Sequence, residues 1–375
     1  LAMPLPRTAR ALGLPLLLPV LLWQAPRPPP GEFDLLAADV GQGNAVLLRT
    51  AGHTLVYDAG PGYSRETDAG QRVLVPLLRA GDEQVARLVL SHRDLDHTGG
   101  AAAVLRMQPR ATLLSSLEDG HPLQALRRAT RCVAGQAWDW DGVRFEILHP
   151  QAADYELPAR PNAMSCVLRV ANASASVLLV GDIERPQEAA LLEAPARLRS
   201  DLLLVPHHGS RTSSSDEFLA AVRPAAGLVQ AGYRNRFGHP AADVVARYRA
   251  RGIRLYLSAA CGAAHWRSQQ PGVVQCERTR DPHYWRPPAG GHAGRGVGHA
   301  PRRENRSGNG LELAILCTGE PRQCTNSTRC LPSCLELDRS SSRRSRWVGR
   351  RRCSRRGCAT TTAPTPNGWG GSRRK

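Results

Sequence analysis

Apolar residues in this chain fall into short runs separated by glycine-containing turns. Phe33 to Val40, Ala45 to Arg49 and Thr54 to Asp58 have the length and composition of three strands close together in sequence. Arg72 to Arg79 reads as a helix, and Ala86 to Leu90 as a buried strand that runs through a polar turn into an Ala-rich helix over 100–107. Trp138 to Leu148 alternates around Asp141-Gly142, which predicts a hairpin, and Ser165 to Val170 with Ser176 to Val180 predicts a second. Glu184 to Leu192 then reads as a helix. After it come strand 202–205, helix 216–222, strand 226–230, helix 240–250 and strand 253–257. Strands alternating with helices on both sides of two sheets predict an α/β fold.

The polar residues that interrupt this pattern cluster at strand ends. The turn after Leu90 reads Ser91-His92-Arg93-Asp94-Leu95-Asp96-His97-Thr98-Gly99-Gly100, with four potential metal ligands in six residues. A single His or Asp there would be an ordinary solvated turn, but four together point to one metal site. The apolar run Val177 to Val180 ends in Gly181-Asp182. Leu202 to Val205 ends in Pro206-His207-His208-Gly209-Ser210, and Gly238-His239-Pro240 follows later. Ligands from separate strand ends are how a sheet scaffold assembles a site on one edge. Carboxylate with imidazole suits a hard-to-borderline divalent ion, zinc or manganese.

Charge and cysteine divide the chain in two. The net charge of +18 is concentrated in residues 291–375, where 18 Arg and Lys meet 5 Asp and Glu; residues 1–290 hold 32 against 27 and are only mildly basic. The tail lacks apolar periodicity and strings Arg343, Arg344, Arg346, Arg350 to Arg352, Arg355 and Arg356 among Ser and Gly. An arginine-rich nucleic-acid arm and a cysteine knuckle both give way to a duller reading, out-of-frame read-through, and disorder is expected. Cys132, Cys166, Cys261 and Cys276 lie in the core without a CxxC pair, which argues against a zinc ribbon. Cys261 and Cys276 flank a loop of about 15 residues whose closure would be worth up to about 3 kcal/mol, and Cys166 is expected as a buried thiol. The chain opens on Leu1, as a fragment would. Ala11 to Trp23 is apolar but shorter than the roughly 20 residues that cross a bilayer, and Pro26 to Pro30 reads as a stiff linker.

The motifs, taken in order, resemble the C-terminal domain of ComEC-type DNA-internalisation competence proteins. SHRDLDHTGG is similar to the HxHxDH signature of the metallo-β-lactamase fold, with Asp94 at the second His. Asp39-Val40-Gly41-Gln42-Gly43-Asn44-Ala45, Tyr57-Asp58-Ala59-Gly60-Pro61, Gly181-Asp182-Ile183-Glu184, His207-His208-Gly209-Ser210 and Asn235-Arg236-Phe237-Gly238-His239-Pro240 stand in the order of that group. The resemblance implies an αββα four-layer sandwich with a metal site at one edge. It divides the chain into the end of a membrane region with its linker (1–31), a hydrolase domain (32–288) and a tail (289–375). It further implies a metal-dependent nuclease that degrades the strand not transported, on the periplasmic face of the bacterial inner membrane. Its partners would be DNA, the channel domain of the same full-length protein and other competence proteins.

The resemblance also assigns residues. His92, Asp94 and Asn162 would hold one divalent ion, and Asp96, His97, Asp182 and His239 the other, with Asp182 bridging. Asn162 stands where the wider fold has a His, and Asn44 where the group has an acid; oxygen donors in place of imidazole make manganese as plausible as zinc. Asp96, His208 and Asp58 are the expected catalytic set, with Asp58 orienting a ligand His. His207, Ser210, Arg211 and Asn235 are the expected substrate contacts, and Ser213 to Ser215 an N-cap. The rival readings are a thioester, lactam or lactone hydrolase on the same fold, and a DNA-guiding module without catalysis.

Overall fold

A computed structural model of the protein describes residues 25–158, 160–193 and 198–281, together with Leu18 and Leu22. The tail expected from 289, and nearly all of the apolar stretch Ala11 to Trp23, lie outside the described residues. No helix among the described residues is long and apolar enough to cross a membrane.

Among the described residues, fifteen strands form two sheets. The first sheet contains β1 (Asp34–Ala37), β2 (Val46–Arg49), β3 (Thr54–Tyr57), β4 (Val85–Leu90), β5 (Thr112–Ser115), β6 (Ala129–Arg131), β14 (Ala264–Arg267) and β15 (Val274–Cys276), in the order β15-β14-β1-β2-β3-β4-β5-β6. The second contains β7 (Ala137–Trp140), β8 (Val143–His149), β9 (Val167–Ala171), β10 (Ser176–Leu179), β11 (Leu202–Leu204), β12 (Ala226–Val229) and β13 (Arg254–Leu257), in the order β13-β12-β11-β10-β9-β8-β7.

Period-two alternation sorts each strand between two apolar layers. In β3, Leu55 and Tyr57 face the layer between the sheets, and Val56 faces outward to helix. In β11, Leu202 and Leu204 face the layer between the sheets, and Leu203 faces the opposite helical layer. Both faces of these strands are therefore buried, which is why they read as unbroken apolar runs. The outer layer of the first sheet is covered by Leu74, Leu78, Val104 and Leu105 from helical segments 70–80 and Ala101–Met107. The outer layer of the second is covered by Leu191, Phe218, Val222, Val244 and Tyr248 from helices Arg185–Glu193, Asp216–Val222 and Ala242–Ala250. The fold is the expected αββα sandwich.

The differences from the sequence reading are local. β5 and β6 were not expected: β6 is a three-residue edge strand with two exposed side chains, too short and polar to show a period. The stretch after Cys261 forms the β14–β15 hairpin. The bridge expected between Cys261 and Cys276 is present, with Cα atoms 4.7 Å apart. Cys166 is fully buried, but it is bonded to Cys132 at a Cα separation of 6.0 Å and is not an isolated thiol. The linker expected over Pro26 to Pro30 is docked on the domain. Arg27 donates from Nη1 to Glu83 Oε2 at 2.7 Å, from Nη2 to the His53 carbonyl at 2.9 Å and from Nε to the Ala51 carbonyl at 3.0 Å.

Candidate metal centre

β3 and β4 run parallel, as do β10, β11 and β12, so their C-terminal ends reach one edge of the sandwich. A polar residue follows each of them. Asp58 follows β3, Ser91-His92 follows β4, Asp182 comes after β10, His207-His208 after β11 and Gln230 after β12. One ligand atom each from Asp96, His97, Asp182 and His208 lies within 4.8 Å of all the others.

Backbone geometry aims these side chains. The short helix Leu95–Thr98 follows directly on the turn, with Asp94 at its N-cap. An N-cap Asp ordinarily accepts from the helix backbone. Asp94 makes no such bond, and its Oδ2 lies 3.5 Å from His92 Nε2 instead. Asn44 N donates to the Asp96 carbonyl at 3.2 Å, and a Cβ on Gly43, at φ +128°, would collide with that same carbonyl. The 41–44 loop thus braces the ligand turn through a close approach that needs glycine. His207 and His208 both sit in the left-handed region, at φ 49° and 54°. Two consecutive non-glycine residues there cost on the order of 1–3 kcal/mol each, a strain that clusters at functional sites. The result sends one ring inward and the other to the rim: side-chain exposure is 2% for His208 and 20% for His207.

Three imidazoles are fixed at Nδ1 and left open at Nε2. His97 Nδ1 lies 2.8 Å from Asp58 Oδ2, and His208 Nδ1 lies 2.9 Å from the Gln230 carbonyl. The carbonyl only accepts, so His208 Nδ1 carries a proton and Nε2 is the atom turned to the cluster, a lone pair for a ligand when the ring is neutral. His92 Nδ1 lies 3.0 Å from Ser91 Oγ and 3.5 Å from Ser165 Oγ. The Nε2 atoms of His92, His97 and His208 and Oδ1 of Asp182 are buried without a hydrogen-bond partner. Such orphaned atoms are rare and costly. Here all four belong to residues of one site, with His97 Nε2 3.2 Å from Asp182 Oδ1 and His208 Nε2 3.3 Å from Asp96 Oδ2. Imidazole held through Nδ1 by carboxylate or carbonyl, with carboxylates opposite, is the donor set of a zinc or manganese site.

The electrostatics show the same demand for positive charge. Burial opposes charge on His97, but Asp182 and Asp58 outweigh it and hold its pKa well above the usual imidazole range. His208 is likewise raised against burial, by Asp182 and Asp96. Burial alone would raise Asp96; His208, 3.3 Å away, and then the charge of His97 take it down to about 2. Asp182 is held well below the carboxylate range against its own burial, by His208 and His97.

The remaining expected residues divide. Asp58 is fully buried behind the ligands, accepting from Ser91 N at 2.7 Å and Ser91 Oγ at 2.9 Å as well as facing His97. It stands 2.8 Å from His97 Nδ1, placed to position that ring. His239, expected as a ligand, stands beside the four-residue cluster with its ring centroid 6.4 Å from that of His208. Burial, then repulsion from His207 and His208, lowers its pKa to about 4. The Asn162 amide lies 3.5 Å from His207 Nε2. Ser210 Oγ meets Thr212 Oγ1 at 3.0 Å, and Arg211 is exposed, 3.7 Å from Asp243. Asn235 was expected to contact substrate. Its amide instead closes its own loop, donating to the carbonyls of Gly232 and His239 and accepting from His239 N. Ser215 is the N-cap expected within 213–215.

Sequence reasoning missed Glu184, Ser165 and Gln230. Glu184 Oε1 lies 3.3 Å from His207 Nδ1, and Ser165 Oγ accepts from Asp182 N at 3.1 Å. Gln230 joins the second sheet to the 38–45 loop by donating to the Ala38 and Ala45 carbonyls and accepting from Ala45 N. A polar residue directly after an apolar strand was the available signal for Gln230.

Among known proteins, the chain is 36% identical over 234 residues to the uncharacterized protein YcaI of Escherichia coli K12, covering 62% of this chain and 29% of that one. It is 38% identical over 247 residues to competence protein ComA of Neisseria gonorrhoeae (65% and 34%) and 33% identical over 228 residues to recombination protein 2 of Haemophilus influenzae (61% and 28%). The chain thus spans about a third of the length of these relatives. The metallo-beta-lactamase superfamily profile matches residues 38–233, a stretch that contains Asp58, the 92–97 turn, Asp182 and the His pair. The chain belongs to the metallo-beta-lactamase superfamily, whose fold implies a divalent-metal-dependent hydrolase.

Proposed function

We propose that the domain hydrolyses phosphodiester bonds of DNA with two divalent ions, zinc or manganese. The observation that carries this reading is the convergence of orphaned Nε2 and carboxylate atoms, each ring fixed at its other nitrogen. Asp96, His97, Asp182 and His208 would hold one ion; His92, Asp94 and Asn162 would hold the other, with Asp182 shared. His239 flanks the first set. Ions bound there supply Lewis acidity toward a phosphoryl oxygen and a water nucleophile at neutral pH.

The protein's own groups do the rest. Asp58 keeps the proton on His97 Nδ1, and Gln230 does so for His208, so both Nε2 atoms stay available. His208, expected as catalytic, is enclosed in the cluster, so proton delivery to the leaving group falls to His207. That ring is on the rim, its Nδ1 faces Glu184 and Thr212, and its Nε2 can deliver a proton to the departing oxygen.

DNA as substrate is supported by the names of the relatives, a competence protein and a recombination protein. Two disulfide-bonded pairs support an oxidising compartment. On this reading the domain works on the periplasmic face of the bacterial inner membrane, beside a channel domain of the same full-length protein and other competence proteins. The test is cleavage of end-labelled DNA by metal-depleted protein resupplied with zinc or manganese, with a β-lactam and a thioester as competing substrates. Ion-dependent cleavage that Asp96→Ala lacks is expected. DNA binding without cleavage under either ion would overturn the reading in favour of a guiding module, and faster turnover of the lactam or thioester in favour of another hydrolase.

A further inference from the structure

The loop after β12 carries features that metal binding does not use. Tyr233 and Phe237 are 74% and 52% exposed, among the most exposed large apolar side chains described. The Arg234 guanidinium lies over the Tyr233 ring at 5.2 Å, and that of Arg236 over the Phe237 ring at 4.8 Å. Among the described residues neither arginine is paired with a carboxylate. Phe237 stacks on His239 at 5.6 Å between centroids, with planes 23° apart, and His239 stacks on His208 at 6.4 Å and 24°. A line of near-parallel rings thus leads from solvent to a residue of the metal cluster. The loop is held in shape beneath the rings. Asn235 ties both of its ends, and Gly232 N donates to Gln42 Oε1 of the loop that braces the ligand turn.

We infer that Tyr233 and Phe237, with Arg234 and Arg236, form a stacking platform that holds bases of a single-stranded polynucleotide beside the metal centre. Two exposed aromatic side chains grouped on one loop beside a cluster of ligands mark a binding surface, and bases stack on such rings whatever their sequence. A base arriving on either ring takes the place of the guanidinium over it, and the displaced arginine, on the same loop, supplies charge complementary to the adjoining phosphate. The two ring steps to His208 put a base on Phe237 within a nucleotide or two of the cluster. A duplex keeps its bases stacked internally and cannot use such a platform, so the geometry selects single strands. This inference rests on the phosphodiesterase reading for its substrate class, but its test does not depend on turnover.

The test is fluorescence anisotropy of a labelled oligothymidylate and of a duplex of equal length, binding to the full chain in chelator. Tyr233→Ala and Phe237→Ala are each expected to raise the single-strand Kd about 10-fold, the scale of one lost base stack. Phe237→Trp restores binding and Phe237→Leu does not, which separates stacking from apolar contact. Duplex binding is expected to be weaker and insensitive to these changes. Unchanged single-strand affinity in both alanine variants, or equal losses for duplex, would overturn the platform. Hydrolysis of bis(p-nitrophenyl) phosphate by the unsubstituted protein with zinc or manganese reads the centre separately. If that hydrolysis is absent while the ring variants lose single-strand affinity, the enzymatic reading falls and the platform stands. If hydrolysis is present and affinity unchanged, the platform falls and the enzymatic reading stands.

Discussion

β3 and β4 end in buried polar clusters at both poles of the sandwich, and the two poles treat their polar groups differently. Where β3 begins, Glu83 is 4% exposed and fully partnered: Arg27 donates to it at 2.7 Å, Thr54 Oγ1 bonds it and Arg49 stands at 3.4 Å. Thr50, Gly52 and His53 converge on Asp141 nearby. Where β3 ends, Asp58 is equally satisfied, but the His97, His208 and His92 Nε2 atoms beyond it are not. Both poles bury charge. One saturates it, as a structural network must, and the other leaves atoms that only a ligand can satisfy. The contrast separates polar burial that stabilises from polar burial that binds.

The sharpest break of this comparison is at the open pole. Asp96→Ala, His97→Ala and Asp182→Ala are each expected to abolish ion-dependent phosphodiester hydrolysis while the domain stays folded. The Asp96 side chain is 31% exposed, against 0% for His97 and 5% for Asp182, so its truncation leaves the fewest buried groups without a counter-charge. An Asp96→Ala protein that hydrolyses at the wild-type rate under the same ion would show that the cluster is not the centre.

The closed pole predicts the reverse. Arg27→Ala leaves Glu83 buried without its shortest charged partner, and breaking a buried ion pair this way costs about 3 kcal/mol. Urea unfolding measures that loss, and hydrolysis per folded molecule should not change. A variant as stable as wild type would mean that the Pro26–Pro30 segment is not held to the domain.

Asp58 lies on the boundary between the two behaviours, satisfied itself but serving an open ligand. Asp58→Asn suits the left-handed backbone at φ 57°; it removes the charge behind His97 and trades one acceptor oxygen for an NH2 donor, so the proton is no longer held on His97 Nδ1. Ion affinity should fall about 10–100-fold, read by competition with a chelating dye. An unchanged affinity would leave Asp58 as a turn residue alone.

How much of this was legible beforehand follows from distance along the chain. His92, Asp94, Asp96 and His97 are dense enough in sequence to announce a site, and the alternating strands announced the layers. Gln230 and Ser165 could not be found that way. Their bonds to His208 and Asp182 span 22 and 17 residues and depend on which strand ends become neighbours. Adjacency to a motif also misled. Asn235 lies beside Arg236 and near His239, yet its amide turns back to the loop backbone, while the exposure of the Tyr233 and Phe237 rings on the same loop exists only in the folded chain. Cys132 and Cys166 belong to the same class. Their pairing joins the end of β6 to the start of β9, a proximity that exists only once the sheets pack.

The smallest effect sharpens the comparison through pH. Hydrogen bonds from Thr50 and His53, with Gly52 N, hold the Asp141 carboxyl down at about 2. The unfolded value is near 3.9, so the folded state binds this proton less tightly than the unfolded one. The contribution is therefore fully present above pH 4 and is lost as pH falls toward 2. Asp141→Asn isolates it, because Asn tolerates the φ of 52° at this position and keeps one oxygen acceptor. Melting curves of the two proteins in chelator, taken from pH 6 down to pH 2.5, cancel the other carboxylates. The variant should be less stable by about 1 kcal/mol at pH 6, the scale of a charge-assisted bond near the surface, and the gap should narrow steadily below pH 4. A gap that stays constant down to pH 2.5 would mean that the closed pole holds Asp141 by shape rather than by charge, and its saturation would then no longer be the counterpart of the demand for positive charge at the metal end.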